Sequence, residues 1–423
     1  MRRPALLLLA CALPVAIAAC ARDETQTVLR FWAMGRESEV VGALLPEFER
    51  THPGIKVRVE QLPWTAAHEK LLTAVAGDST PDLCELGNTW IPELAALQAL
   101  APLDARIAAS TGIASADYFP GIWATNVIGS STFGVPWYVD TRLLFYRTDL
   151  VREAGFRDPP RSWSELQREL AAVVAHGGGR RFGILLPLDE FEPLLALALQ
   201  QPEPLLVDGG VRANFASAAF ERTLDFYVGM FRKGYAPGVS SSQISNVWTE
   251  FGRGYFAFYI SGPWNIGEFQ RRLPPELSGQ WMTAPLPGPD GPGASIAGGA
   301  SLAVFRHSRH QDAAWQLVEY LSQPSVQERF HALTGDLPPR RSAWESAALA
   351  GDAYARAFRD QLERARPVPQ VPEWERIVQE MRLVAERVVR GQLSVHDGAL
   401  ALNETADRML AKRRQLVAEG ATL

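Results

Sequence analysis

The chain has 423 residues, 47% hydrophobic and 21% charged, the balance of an ordinary globular protein at a length that calls for two domains rather than one core. Its formal net charge of −5 supplies no attraction for nucleic acid. The cysteines are Cys11, Cys20 and Cys84; with Cys11 in the leader and Cys20 at the expected cut and lipid site, Cys84 alone remains and no internal disulfide is expected.

Arg2 and Arg3 precede an apolar run from Ala5 to Ala19 that ends at Ile17-Ala18-Ala19-Cys20. A basic start, a short apolar middle and small residues before a cut site predict an export signal over 1–19. The run falls short of the roughly 20 apolar residues that span a bilayer, and Pro14 interrupts it. Cys20 after two small residues resembles a bacterial lipoprotein leader, with the lipid on Cys20 and 20–26 as a tether. An ordinary soluble signal with a chance cysteine is the alternative. Either way the protein works outside the cytoplasm, on the periplasmic or extracellular side.

Val28 to Trp32 reads as a strand, and Glu39 to Arg50 as a helix with Val40, Val41, Leu44, Leu45 and Phe48 on one face. Ile55, Val57 and Val59 alternate with charged residues in a second strand. Thr65 can cap a helix carrying Leu71, Leu72 and Val75. Asp82 to Leu86 is a third strand, with Cys84 as a small core residue, and a helix follows around Pro92 to Leu100. This alternation predicts an α/β lobe with a largely parallel sheet. Gly134 to Arg147 is long for one strand and can pass between lobes. Ser162-Trp163-Ser164-Glu165 has capping-box spacing, and Gly177 to Gly179 closes its helix. Phe182–Leu186 and Phe256–Ile260 are strands, Phe215–Phe231 is a helix, and Pro263 suits a first helical position. Asp189-Glu190-Phe191-Glu192 reads as a solvated helix start. Leu302–Phe305 is a strand, Ala313–Leu321 a helix, and Trp374–Leu416 a helical tail with Ile377, Met381, Leu383, Val384 and Val388 on its apolar face.

There is no P-loop, no Gly-rich dinucleotide fingerprint and no Gly-x-Ser-x-Gly elbow, so no cofactor is expected. His307 and His310 lack a further ligand set and read as surface residues. The positive signal is a recurring mixture at strand ends. Trp32 ends the first strand and Glu37 follows in the loop. Trp64 follows the second strand. Glu85, Asn88 and Trp90 bracket the third. Trp137, Tyr138, Asp140 and Arg142 occupy the crossing segment, and Trp264 with Asn265 follows a strand further on. Ligands of α/β sheets bind outside the carboxyl ends of strands. A sugar, with flat C–H faces and a rim of hydroxyls, is held by aromatic platforms with carboxylates, amides and guanidinium groups. Competing readings stand beside each residue: a tryptophan can be core, Asn88 can cap the next helix, Asp140 can cap a turn and Arg142 can pair with a surface acid. Glu85 and Asp140 could also form the carboxylate pair of an exported glycosidase, and rings beside acids could bind an organic cation.

With these segments in place, the chain resembles the bacterial extracellular sugar-binding proteins of ABC importers, of the maltose- and trehalose-binding kind. The resemblance rests on Phe31-Trp32-Ala33-Met34-Gly35, Phe48 to Val57, Glu85-Leu86-Gly87-Asn88-Thr89-Trp90, Pro136 to Arg147, Ser261 to Gly267, Gly298 to Val304 and Gly335 to Arg341. It implies a two-lobed periplasmic-binding-protein fold of type II, α/β in both lobes and joined by a hinge. Residues 27–138 with 302–342 would form one lobe and 141–297 with 345–423 the other. It further implies a sugar ligand, an inner-membrane permease with a cytoplasmic ATPase as partner, and a monomer with no catalytic activity, no metal and no nucleic-acid partner. By position, Trp64, Trp137 and Trp264 are its stacking platforms. Glu37, Glu85, Asn88, Asp140 and Arg142 are its hydroxyl binders. Gly298 and Gly299 offer backbone groups, and Arg340 and Trp374 come from the return segments.

Overall fold

The computed structural model describes residues 26–244 and 246–419. The expected leader, Cys20 and most of the tether lie outside the described residues. Nine strands form two principal sheets. The first contains β1 (Thr27–Met34), β2 (Ile55–Leu62), β3 (Leu83–Gly87), β4 (Val135–Asp140) and β9 (Gly298–Val304), in the order β2-β1-β3-β9-β4. β1 runs parallel to β2 and β3, and β9 runs antiparallel to β3 and β4. The second contains β5 (Leu143–Arg147), β6 (Phe182–Leu185), β7 (Phe256–Ser261) and β8 (Trp281–Ala284), in the order β8-β5-β7-β6. β7 is parallel to β6 and antiparallel to β5. The extended segment 134–147 is therefore two strands in two different sheets, and the chain passes between them at Thr141-Arg142. Ser295 holds that crossing, donating its hydroxyl to the Arg142 carbonyl at 2.7 Å and accepting from the Arg142 N–H at 3.2 Å.

Both sheets are covered on both faces, as near-continuous apolar strands require. On β1, Leu29, Phe31 and Ala33 enter one core, while Trp32 and Met34 enter another. On β5, Leu144 and Tyr146 enter one core, and Leu143 and Phe145 the other. The helices that place the site are α1 (Gly35–Val41), α2 (Leu45–Thr51), α3 (Trp64–Ala76), α4 (Ile91–Ala96), α5 (Trp163–His176), α6 (Glu192–Ala198), α7 (Ala218–Arg232), α8 (Val247–Gly252), α9 (Trp264–Arg272), α10 (Gln311–Leu321) and α11 (Pro324–Thr334). The tail adds α12 (Trp374–Val389), α13 (Val395–Met409) and α14 (Ala411–Ala418). α10 packs into the core of the first sheet, and α12 and α13 into that of the second.

Several local expectations are revised. The helix expected over 39–50 is split into α1 and α2, because Pro46 sits in the first turn of α2 and cannot donate to the carbonyl a turn back. Thr65 does not cap α3, which begins one residue earlier at Trp64 behind Pro63. The tail helix breaks at Gly391, where φ is +72°, and Leu383 points to solvent while Val378 and Ala385 take the apolar face. The capping box at Ser162 and Glu165 is present on α5, and Cys84 is buried.

Candidate functional site

Two tryptophans keep a substantial exposed surface just beyond the carboxyl ends of strands: Trp64 after β2, 37% exposed, and Trp264 after β7, 38% exposed. Trp64 lies against Gly35, where an added Cβ would meet its Cδ1 and Nε1 at 3.1 Å. Trp90 braces it from behind with ring centroids 5.5 Å apart, and His68 braces Trp90 at 5.2 Å. Trp264 folds back over Gly262, where an added Cβ would come within 1.9 Å of the indole, so Gly262 is the residue that lets the ring lie there.

Behind Trp64 sits a group of carboxyls. Glu85, on β3, is fully buried. Its Oε2 accepts the Met34 N–H and its Oε1 accepts the Tyr138 hydroxyl, both at 2.7 Å. Burial, and then the neighbouring Glu37 carboxylate, push the Glu85 carboxyl well above the usual carboxylate range. Asp336 is pushed up for the same two reasons, and its Oδ2 has no hydrogen-bond partner. Such carboxyls stay protonated beyond the ordinary range and can donate as well as accept.

Beside Trp264 the pattern differs. Arg142 forms an ion pair with Asp140, donates from Nη2 to Glu192 at 2.7 Å, and lies 4.6 Å from the Trp264 ring centroid. Burial raises the Asp140 carboxyl, against the pull of Arg142. Glu190 rises to about 7, through burial first and the Glu192 carboxylate second.

The other expected ligand residues are distributed differently. Asn88 is buried and does not cap α4. Its Oδ1 accepts the Ser301 hydroxyl at 3.0 Å and its Nδ2 has no partner. Gly298 and Gly299 pair with Asp140 and Val139. Gly299 has φ +122°, and an added Cβ would lie 2.3 Å from the Tyr138 carbonyl, so this glycine permits the close approach of β9 and β4.

Five assignments are corrected as open contact surfaces. Trp137 is 1% exposed and stacks on Phe330 of α11, centroids 4.4 Å apart. It fills the core instead of offering a platform. Trp32 is buried too. The parallel register sets it beside Glu60, whose Oε2 accepts its Nε1–H at 2.9 Å. Trp374 is enclosed among the second sheet's core residues, with its Nε1 unpartnered. Arg340 is a staple, paired with Asp117 at 2.6 Å and donating to the Gly112 and Ser322 carbonyls. Asn265 spends its amide inside the fold, accepting the Trp248 Nε1–H at 2.8 Å and donating to the Ser261 hydroxyl at 2.6 Å.

Three acids were not foreseen as part of the site. Glu192 opens α6 and Glu190 precedes it, and the solvated reading fails because Arg142, 50 residues away in sequence, bonds Glu192, while Glu190 is partly buried and accepts the Ser241 hydroxyl. Asp336 follows the left-handed Gly335 that ends α11. The sequence hint for it is the Gly335 to Arg341 stretch on which the family resemblance rests. The glycosidase pair finds no support, since Glu85 is spent on Met34 and Tyr138 and Asp140 on Arg142.

Residues 36–328 match the family described as bacterial extracellular solute-binding protein. The chain is 56% identical to the sugar-binding protein MalE of Xanthomonas citri, over 93% of this chain and 99% of that one, with a TM-score of 0.90. It is 25% identical to the GacH receptor of Streptomyces glaucescens, over 91% of this chain and 99% of that one, with a TM-score of 0.80. It is also 28% identical to an uncharacterized lipoprotein of Streptomyces antibioticus over 369 residues, 82% of this chain and 79% of that one. With two helix-flanked sheets joined by a crossing strand pair, this chain has the type II periplasmic-binding fold and belongs to the bacterial extracellular solute-binding proteins, which are receptors and not enzymes.

Proposed function

We propose that this chain is the sugar receptor of an ABC importer, taking a disaccharide or short oligosaccharide between two lobes and handing it to a membrane permease. Maltose or trehalose is the favoured ligand. The observation that carries this is the pair of exposed tryptophans, Trp64 and Trp264, each just beyond the carboxyl end of a strand in a separate sheet and each beside carboxyl groups. The sugar-binding MalE at 56% identity and the GacH receptor described with acarbose support the same ligand class.

The lobes are taken as 27–138 with 302–342 and 141–297 with 345–423, each built around one of the two sheets, although the first sheet itself runs to Asp140 on β4 and starts at Gly298 on β9. A sugar that touches both lobes stabilises the closed arrangement over the open one. Micromolar affinity needs about −8 kcal/mol net, within reach of two aromatic stacks and several charge-assisted hydrogen bonds. The receptor acts outside the cytoplasm as a monomer, with Cys20 as the proposed lipid anchor. A relative named as a lipoprotein is in keeping with that anchor.

Calorimetry of the mature protein against maltose, trehalose, a pentitol and a polyamine tests the reading. Saturable heat with a glucose disaccharide is expected. Binding of the polyamine alone would replace the sugar reading with an organic-cation receptor. Cys20→Ala should free the protein from the membrane without changing its sugar affinity.

A further inference from the structure

A cavity of about 910 Å³ opens in the second sheet's half of the molecule, with Trp163, Arg222, Arg364, Arg366 and the loop Gly288 to Gly293 in its lining. All of its lining residues fall within 163–294 and 363–366. It therefore belongs to one half of the chain and shares no residue with the Trp64 or Trp264 groups.

Three guanidinium groups meet here from two segments. Arg364 and Arg366 flank Ala365, where Ala365-Arg366 pairs with Ser295-Ile296, and residues two apart on an extended segment share a face. Arg222 comes from α7, one turn before Phe226. Arg364 keeps a buried Nε with no hydrogen-bond partner. Arg366 donates from Nη1 to the Leu199 and Gln201 carbonyls at 2.8 and 3.2 Å, which fixes the side chain and leaves its other donors to the cavity. Among the described residues none of the three is ion-paired. Glu363 also lines the cavity, but Arg341 takes its carboxylate through bonds of 2.7 and 3.2 Å. The remaining acid of the lining is Asp290, exposed at the tip of the loop. Like charges gathered in a concavity raise the local concentration of a counter-anion.

The other walls are held by a single amide. Gln200 accepts the Trp163 Nε1–H at 2.7 Å and donates from Nε2 to the Pro287 and Ala294 carbonyls, both at 3.1 Å. It thus fixes the indole and pins both ends of the glycine loop. Gly293 permits this, since an added Cβ there would lie 2.4 Å from the Gln200 Nε2. Trp163 stacks one face on Phe226, with centroids 4.2 Å apart and 12° between the planes, and is only partly buried.

Size and charge select the occupant. Ligand pockets measure roughly 300–1,000 Å³, so this one holds more than a bare ion. A phosphate monoester carries about −1.5 to −2 charge at pH 7 and three strong acceptor oxygens. That suits three guanidinium groups, whose planar forks bind such oxygens in pairs. A carboxylate, with one charge, would leave most of the cluster uncompensated. The indole suits the C–H face of a ring or polyol attached to the phosphate.

We infer that the Arg222–Arg364–Arg366 cavity is a second binding site, for a phosphate monoester of a sugar or polyol, separate from the site at the two exposed tryptophans. Calorimetry with glucose 6-phosphate and with inorganic phosphate tests it, on the full mature protein with and without saturating maltose. Arg364→Gln and Arg222→Gln are the variants, and thermal unfolding checks that each is folded. The wild type should give saturable heat with glucose 6-phosphate that maltose does not abolish. Arg364→Gln should weaken that binding at least about tenfold and Arg222→Gln by a few-fold, with maltose affinity unchanged in both. Inorganic phosphate should bind more weakly, because it leaves Trp163 unused. The site is overturned by absence of heat at millimolar glucose 6-phosphate or by equal affinity in wild type and both variants. Heat that maltose abolishes also overturns it, placing the phosphosugar at the tryptophans instead. Equal affinity for inorganic phosphate and glucose 6-phosphate overturns the sugar or polyol part.

Discussion

The two halves of the proposed site solve one electrostatic problem in different ways. Near Trp64, Glu37, Glu85 and Asp336 crowd together, and among the described residues no cation stands close enough to Glu85 or Asp336 to offset them. Burial, and then the neighbouring Glu37 carboxylate, push Glu85 and Asp336 above the usual carboxylate range. Near Trp264, Asp140, Glu190 and Glu192 are equally crowded, yet Arg142 stands among them and also covers the indole. Similar residue types are thus pushed up without a paired cation on one side and held against a guanidinium on the other. Local composition does not distinguish these outcomes. The presence of one guanidinium does.

Removing that guanidinium is the most severe way to break the comparison. Arg142→Ala leaves three partly buried acids without a cation and strips one cover from Trp264. Loss of one partner from a buried pair costs about 3–5 kcal/mol, and because both groups here retain some solvent access the expected loss lies near the lower figure. Urea unfolding measures it, and a variant within about 0.5 kcal/mol of wild type would mean that the cluster does not depend on Arg142. Sugar affinity should fall in the same variant, by more than for any other single change at this end.

Trp264→Ala comes next. It should weaken sugar binding at least about tenfold, the equivalent of about 1.4 kcal/mol, while leaving the unfolding midpoint close to wild type because the ring is exposed. Unchanged affinity by calorimetry removes Trp264 from the site.

The smallest effect lies outside the site and sharpens the proton argument. Glu169 on α5 is buried, its Oε2 has no partner, and its carboxyl rises from 4.5 to about 8, through burial first and Glu165 second. The folded state therefore holds a proton that the unfolded state has released between those values. Stability from this group is full below about pH 4.5 and is lost as the pH rises towards 8. Glu169→Gln should flatten that decline and raise stability at pH 8 by about 1 kcal/mol. Melting curves at pH 5, 6.5 and 8 measure the slope, and an unchanged slope would place its origin elsewhere, with Glu85 and Asp336 as the nearest candidates.

Features governed by short-range rules were legible in the chain itself. The Ser162–Glu165 capping box, the strand–Gly-Pro-Trp turn at 261–264, the alternation of strands and helices to residue 100 and the long crossing segment follow from side-chain period, capping chemistry and the steric needs of glycine and proline. That Trp64 and Trp264 stand just past strand ends was legible for the same reason, since each follows a strand directly. Trp32 and Trp137 carry the same local signal and turned out to be core. Which face of a strand is covered depends on helices such as α11, nearly 200 residues along the chain from Trp137, which supplies Phe330 to its ring. The meeting of Glu37 with Asp336, of Arg142 with Glu192 and of Trp248 with Asn265 likewise required the tertiary structure. A charge or a ring placed by one segment acquires its role from whatever another segment sets within a few ångströms, and that distance is a property of the packed sheets and helices, not of any stretch of sequence.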